Sequence, residues 1–485
     1  MTTYLVIAVL LLFSVVSGKF LYKFGVPVLI FFLGIGMLFG DGGIGRVTFA
    51  DPQVAKEIVG VCLAYISFSG GFGMNWKAAK GAVRPAFTLA TAGALLTALL
   101  IAAFTVLLIP GFTFLEGLLV GAILAPTDVA SVFSILRARR LNLKHSLGSL
   151  LEVESGSNDP AAYILMIVIL GVMTGETGSL WYVVLLQVFG SVALGFLFSK
   201  GSVWLINRID LELDGMYSIL LIALVLFTYA VAEIALANGF LAVYVLGIAL
   251  GNRKIAHKVS LVRYFDGFGW LMQIILFFTL GLLVVPADLP AIAFDGVAIS
   301  LFVIFLARPL STILCMSFFR RPIREQLFVA WVGFRGASSI VFASFPLALG
   351  LHLSGFIYNV VFFVATITVL IQGTLLVPIS RWLGVVSPDE NILRTFTDYS
   401  GDYHTEMMEI TIPESSVIAG KTIMDVAVPD HVLFVLVKRG NQIITPRGST
   451  RLRSGDTVLI AGDDVAELRK MQEWADRRLR LPTIV

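Results

Sequence analysis

The chain has 485 residues, of which 58% are hydrophobic and only 14% charged, with a formal net charge of +3. Ordinary soluble domains carry about 25% charged residues, so the composition excludes one and describes a polytopic membrane protein. The small net charge, without a clustered basic face, excludes nucleic acid as a partner and leaves membrane lipid as the expected surroundings.

Windows of about 20 apolar residues bounded by Gly, Pro or charge predict transmembrane helices. They fall at 3–22, 26–40, 54–73, 85–109, 114–136, 147–173 and 179–207, then at 216–236, 238–252, 264–285, 291–319, 325–349 and 355–383. The result is an all-α membrane fold of about thirteen spans. In the first window Lys19 and Lys23 follow the apolar run rather than precede it, the flank order of a first transmembrane helix and not of a cleaved secretory signal. The weakest division is at Ala237-Asn238-Gly239, where a merger would make about twelve spans. The basic residues favour keeping it. Odd-numbered connections hold Lys77, Lys80 and Arg84, then Arg137, Arg139, Arg140 and Lys144, and later Arg253, Lys254, Lys258 and Arg263, whereas even-numbered ones hold only Arg46 and Lys56. By the positive-inside rule this alternation places the amino terminus outside and the end of the last helix in the cytosol.

Composition changes near Ser387. Residues 387–402 read as a polar linker, and 403–485 as a small cytosolic α+β module, with short strands at 407–412, 431–437, 442–444 and 457–461 and a helix begun by Asp463. The membrane domain is then 1–386. A module of this size buries a modest core, which fits dimerisation through it. Its basic residues Lys438, Arg439, Arg447, Arg451 and Arg453 read as solvated surface, with a small anionic effector as the other reading.

Two polar stretches interrupt the apolar helices. One is Pro126-Thr127-Asp128 in the fifth span; the other is Glu152-Val153-Glu154-Ser155-Gly156-Ser157-Asn158-Asp159-Pro160 in the sixth. An ionisable group near the bilayer centre costs roughly 2.5–3.5 kcal/mol on insertion scales, so these carboxylates must face protein or water. Ser155 and Asp159 lie four apart on one helical face, and Glu152 extends that stripe. Together they offer oxygens to a hard monovalent cation, with the Asn158 amide adding a neutral one. Pro126 removes a donor and disfavours helix before it, so carbonyls near 125–127 are freed toward a cavity, the only place irregular backbone is tolerated at this depth. Arg308 and Arg335 bring positive charge to the same depth, and pairing with Glu154 or Asp128 lowers both penalties. Glu152, near a basic loop, reads equally as a solvated face or a vestibule residue. Cys62 and Cys315 lie in apolar runs as small buried hydrophobes. The histidines are scattered without ligand spacing, so neither a resident metal nor another cofactor is expected, and no enzyme motif appears.

Taken together, Pro126-Thr127-Asp128, Glu154-Ser155-Gly156-Ser157-Asn158-Asp159-Pro160, Arg308-Pro309 and Gly333-Phe334-Arg335-Gly336-Ala337 resemble the monovalent cation:proton antiporter family of NhaP type, over residues 1–385. The tail, with Gly420-Lys421-Thr422-Ile423 and Gly448-Ser449-Thr450-Arg451-Leu452-Arg453-Ser454-Gly455-Asp456, is similar to the RCK-C (TrkA-C) regulatory domain. The combination resembles the potassium/proton branch found in the bacterial inner membrane. The resemblance implies an inverted-repeat fold, a homodimer and crossing discontinuous helices at the site. It also implies ion coordination by Asp159, Ser155 and the Thr127 backbone with Asp128 nearby, and a structural pair of Glu154 with Arg308. The chain departs from it at Ser67-Phe68-Ser69-Gly70-Gly71, where a serine stands before the glycines in place of an acidic residue, so a site with one charge fewer is expected. The activity implied is exchange of K+ or Na+ for H+. The alternative is a cation channel regulated by the same tail, against which stands the absence of a Thr-Val-Gly-Tyr-Gly-like filter.

Overall fold

The computed structural model describes residues 12, 28–40, 51–139, 141–144, 146–175, 180–387, 406–413, 416–426, 432–440 and 442–462. Apart from Leu12 the expected first span at 3–22 lies outside the described residues, as do the linker after Ser387 and the helix begun by Asp463. The chain divides into two compact units, Met1–Thr397 and Asp398–Val485.

The first unit is helical, and its helices form where apolar runs meet a cap or a breaker. They are α1 (Val28–Phe39), α2 (Pro52–Gly73), α3 (Val83–Leu108), α4 (Phe114–Ile123), α5 (Val129–Ala138), α6 (Leu147–Thr174) and α7 (Trp181–Arg208). The later ones are α8 (Asp214–Ile234), α9 (Gly239–Gly251), α10 (Lys258–Leu282), α11 (Pro286–Ser317), α12 (Ile323–Trp331), α13 (Ala337–Ala348) and α14 (Ser354–Trp382). Among the described residues, 8 of these helices are long and apolar enough to cross a membrane, and α4, α9 and α13 are shorter apolar helices. Caps come from the sequence: Asp51 accepts from the amides of Gln53 and Val54 before Pro52, and Thr113 with Glu116 forms a capping box, each closing orphan donors of a first turn. Helices α8 and α9 are distinct. The chain turns at Leu236 with φ +57°, and the Asn238 side chain accepts from Leu241 N to start α9.

Two predicted spans are not continuous. The run at 114–136 is broken between α4 and α5, and that at 325–349 between α12 and α13. Pro126 explains the first break; the second falls at Gly333-Phe334-Arg335-Gly336. Among the described residues three helices also widen into a π turn, α3 at Leu89–Gly93, α7 at Leu186–Gly190 and α11 at Val303–Ala307, the last just before Arg308 and Pro309, which has no amide to donate.

The helices pack in two groups. In one, α9 packs on α2, α7 and α8, and α10 packs on α1 and α2; in the other, α4 packs on α3 and α6, and α14 packs on α11 and α13. The groups meet chiefly where α13 lies against α2. A short antiparallel pair, β1 (Asn142–Leu143) with β2 (Val386–Ser387), joins the loop before α6 to the end of α14, with Leu143 opposite Val386.

In the second unit the described residues form an antiparallel sheet of β3 (Glu406–Thr411), β4 (Val432–Arg439), β5 (Gln442–Ile444) and β6 (Thr457–Gly462), in the order β3-β6-β4-β5. Alternating apolar residues put Ile410, Val437, Val458 and Ile460 into one small core. Arg439, expected on the solvated surface, is instead engaged: its guanidinium donates to both carboxylate oxygens of Asp456, at 2.8 and 2.7 Å, and to the Arg451 carbonyl.

Candidate functional site

The two broken helices satisfy one another. Asp128 N donates to the Phe334 carbonyl at 2.9 Å, and the Arg335 guanidinium donates to the carbonyls of Ala125 and Pro126 at 2.7 and 3.0 Å. Arg335 N donates in turn to the Thr368 hydroxyl on α14. Arg335 is fully buried, so its charge answers the carbonyl dipoles released by Pro126. The expected carboxylate partner is not what holds it: among the described residues, carbonyls do. Gly336 is required by close approach, because a Cβ there would lie 2.4 Å from the Cβ and Oδ2 of Asp128.

Arg308 does meet a carboxylate. Its guanidinium lies 2.5 Å from Glu154 Oε1, with the two side chains 3% and 1% exposed, a degree of burial at which neither charge is tolerable without the other. This pair ties α11 to α6.

On α6, the face that points toward the break carries the polar residues. Ser155 Oγ donates to the Thr127 carbonyl at 2.7 Å and accepts from Val129 N, while Asn158 Nδ2 donates to Thr127 Oγ1 at 2.7 Å. Asp159 Oδ2 accepts from Ser338 Oγ of α13 at 2.7 Å. The remaining oxygens, Asp159 Oδ1 and Asn158 Oδ1, are buried and accept no hydrogen bond among the described residues. Asp128 is turned away into its own turn, taking the Ser131 hydroxyl at 2.6 Å and the Ser131 amide at 3.3 Å.

Asp159, Ser155, Thr127 and Asp128 line one cavity of about 130 Å³, together with Glu152, Ala337 and Ser338. Its opposite wall is Ser67 and Gly70 of α2, Tyr244 of α9 and Gln273 of α10. Gly156 lets that wall approach: a Cβ on it would fall 2.3 Å from the Tyr244 ring. The cavity follows α6 toward its start. One turn beyond Asp159 the path is filled by Tyr163, whose ring packs on Phe240, Phe342 and Phe345 with centroids 5.2–5.7 Å apart. Of the sequence candidates, the structure gathers Thr127, Asp128, Glu152, Ser155 and Asp159 around one space, with Asn158 behind Thr127, and sets Glu154 with Arg308 apart from it. Ser338, Gln273 and Tyr244 were not found from sequence. Ser338, two residues past Gly336, carried the only signal, a hydroxyl beside a predicted break.

Residues 6–382 match the family described as sodium/hydrogen exchanger, transmembrane. The chain belongs to that family. Residues 407–474 match the TrkA-C domain. The chain is 36% identical over 469 residues to the K(+)/H(+) antiporter NhaP of Alkalimonas amylolytica, a match covering 94% of this chain and 80% of that one. It is 33% identical over 472 residues to the K(+)/H(+) antiporter NhaP2 of Shewanella baltica (strain OS223), covering 95% and 81%. Its fold is that of the sodium proton antiporter MjNhaP1 from Methanocaldococcus jannaschii, with a TM-score of 0.68 at 23% identity, over 79% of this chain and 100% of that one. As a sodium/hydrogen exchanger family member the chain is a membrane transporter whose activity is cation:proton antiport, and the channel alternative falls away.

Proposed function

We propose that the chain exchanges K+ for H+, one for one, with both ions competing for Asp159. The observation that carries this reading is Asp159 Oδ1, a buried carboxylate oxygen with no partner among the described residues, in the wall of the cavity beside the freed backbone at Thr127. A neutral carboxyl tolerates burial; an ionised one requires a compensating cation. The protonated and cation-loaded forms therefore cross between sides and the bare carboxylate does not, which makes exchange obligatory. Ser155, Asn158 and the Thr127 carbonyl supply further oxygens, and Asp128 stands nearby, engaged by Ser131. Glu154, Arg308 and Arg335 hold the crossing in register, and Glu152 sits in the vestibule. K+ as the cation is supported by the names of the relatives that match most of this chain. Asn158 is neutral where a second carboxylate would bring a second proton, which favours electroneutral exchange.

In this reading residues 1–386 are the transport domain, 387–402 a linker and 403–485 a regulatory module, with the amino terminus outside, the module in the cytosol, and two chains forming a homodimer in the bacterial inner membrane. The module needs no bound cofactor for exchange; a small ligand that binds it unequally in the two transport states biases them. The deciding experiment is a cation series in everted vesicles read by pH-sensitive fluorescence, on the wild type and Asp159→Asn. The expected result is K+-driven dequenching in the wild type and none in the variant at equal protein level. Exchange surviving in Asp159→Asn removes that residue from the centre of the mechanism.

A further inference from the structure

Helix α10 is apolar on both sides of one amide: Leu271 and Met272 precede Gln273, and Ile274 and Ile275 follow. An amide at membrane depth is costly unless it meets a partner or a cavity, and Gln273 meets the cavity that holds Asp159. Ser67 of α2 lines the same wall. The two helices touch at this level, since Gly269, one turn before Gln273, faces the Ser69 side chain.

The walls differ in chemistry. The α6 side brings carboxylates, whereas the facing helices bring the Gln273 amide, the Ser67 hydroxyl and the Tyr244 phenol, none of which is charged near neutral pH. Of the acidic groups in the lining, Asp128 is engaged by Ser131. Glu152 is two turns from Asp159, about 10 Å at the helical rise. A cation at Asp159 therefore meets one carboxylate oxygen without an internal partner, completed by neutral dipoles. We propose that Gln273, with Ser67, is the specificity-determining ligand pair that completes the cation shell and makes the site favour K+ over Na+. The inference rests on the assignment of Asp159 as the exchange site. Its physical basis is field strength: Na+ holds its water more tightly, and neutral dipoles replace that water less well than a second carboxylate would.

Purified wild-type protein gives the first reading. Thermal stabilisation by chloride salts at alkaline pH should rank K+ and Rb+ above Na+ and Li+, and the reverse order overturns the proposal. In vesicles, Gln273→Leu and Ser67→Ala should each raise the K+ concentration for half-maximal exchange by about tenfold, and Gln273→Glu should reverse the K+/Na+ preference by a similar factor. If these variants exchange with the wild-type cation order and K+ requirement, the proposal fails. Should Gln273 variants not accumulate, Ser67→Ala and the wild-type salt series still decide it. Asp159→Asn keeps the two claims apart: loss of exchange there with unaltered selectivity in the Gln273 and Ser67 variants removes only this inference, while retained exchange removes its premise.

Discussion

Asp159 and Glu154 sit five residues apart on α6, yet their surroundings assign them opposite duties. Glu154 is held by Arg308 with both groups almost fully buried, so removing either partner strands a charge, a change that costs roughly 3–5 kcal/mol. Glu154→Gln and Arg308→Ala should therefore lower the melting temperature of the detergent-solubilised protein sharply and reduce its yield. Asp159 has one oxygen engaged by Ser338 and the other without a partner among the described residues. Asp159→Asn should melt near the wild type, since a neutral amide tolerates that cavity, while losing exchange. Equal melting of all three variants would contradict the division of roles.

At the scale of elements, two close approaches shape the site, one between the broken helices at Gly336 and the other between α6 and α9 at Gly156. Gly336→Ala would drive a methyl into Asp128, and Gly156→Ala into the Tyr244 ring. Both should abolish transport, but by different contacts. Tyr244→Leu removes the ring, so the double variant Gly156→Ala/Tyr244→Leu should recover exchange that Gly156→Ala alone lacks, measured in the same vesicle assay, whereas Tyr244→Leu should not rescue Gly336→Ala. Much of this arrangement was legible. Pro126 and Gly333-Phe334-Arg335-Gly336 announce irregular backbone, and polar residues spaced four apart on α6 announce a face that cannot meet lipid. Which group answers which was not legible. The sequence favoured a carboxylate for Arg335, but the carbonyls freed by Pro126 are nearer and better placed. Ser338 and Gln273 belong to helices whose register against α6 is a tertiary matter, so the hydroxyl beside a break and the amide within an apolar run do not by themselves tell what they face. Helix ends slipped for a similar reason: α10 begins at Lys258 rather than near 264, because polar residues up to Arg263 form helix as readily as apolar ones although they do not belong to a hydrophobic window.

For the whole molecule, the tail module and the charge balance of the proposed cycle each carry a prediction. In the tail module, hydrogen bonds from Arg439 hold the Asp456 carboxyl below its ordinary range. A carboxyl lowered on folding contributes stability above its unfolded value, near pH 4, and loses it as the pH falls through the folded value. The protection factors of the β4 and β6 amides in the intact protein, corrected for the intrinsic pH dependence of exchange, should therefore be high at neutral pH and fall in acid, and Asp456→Asn should lower them at neutral pH with a flatter acid dependence. Removing residues 403–485 should change when the antiporter switches on without ending exchange, because every group placed at the transport site lies before Trp382. In the proposed reading the charge balance of the cycle turns on Asn158: with Asp159 as the one titrating carboxylate, each turn would move one H+ against one K+ with no net charge crossing, so a membrane potential, worth about 2.3 kcal/mol per charge per 100 mV, would have nothing to act on. Proteoliposomes should show K+-driven proton movement at an unchanged rate when valinomycin-free potentials of either sign are imposed, and solid-supported membrane recordings should show no sustained transport current. Asn158→Asp, which adds the second carboxylate, is the informative contrast: a current appearing in that variant alone ties stoichiometry to this position, whereas a current in the wild type overturns one-for-one exchange.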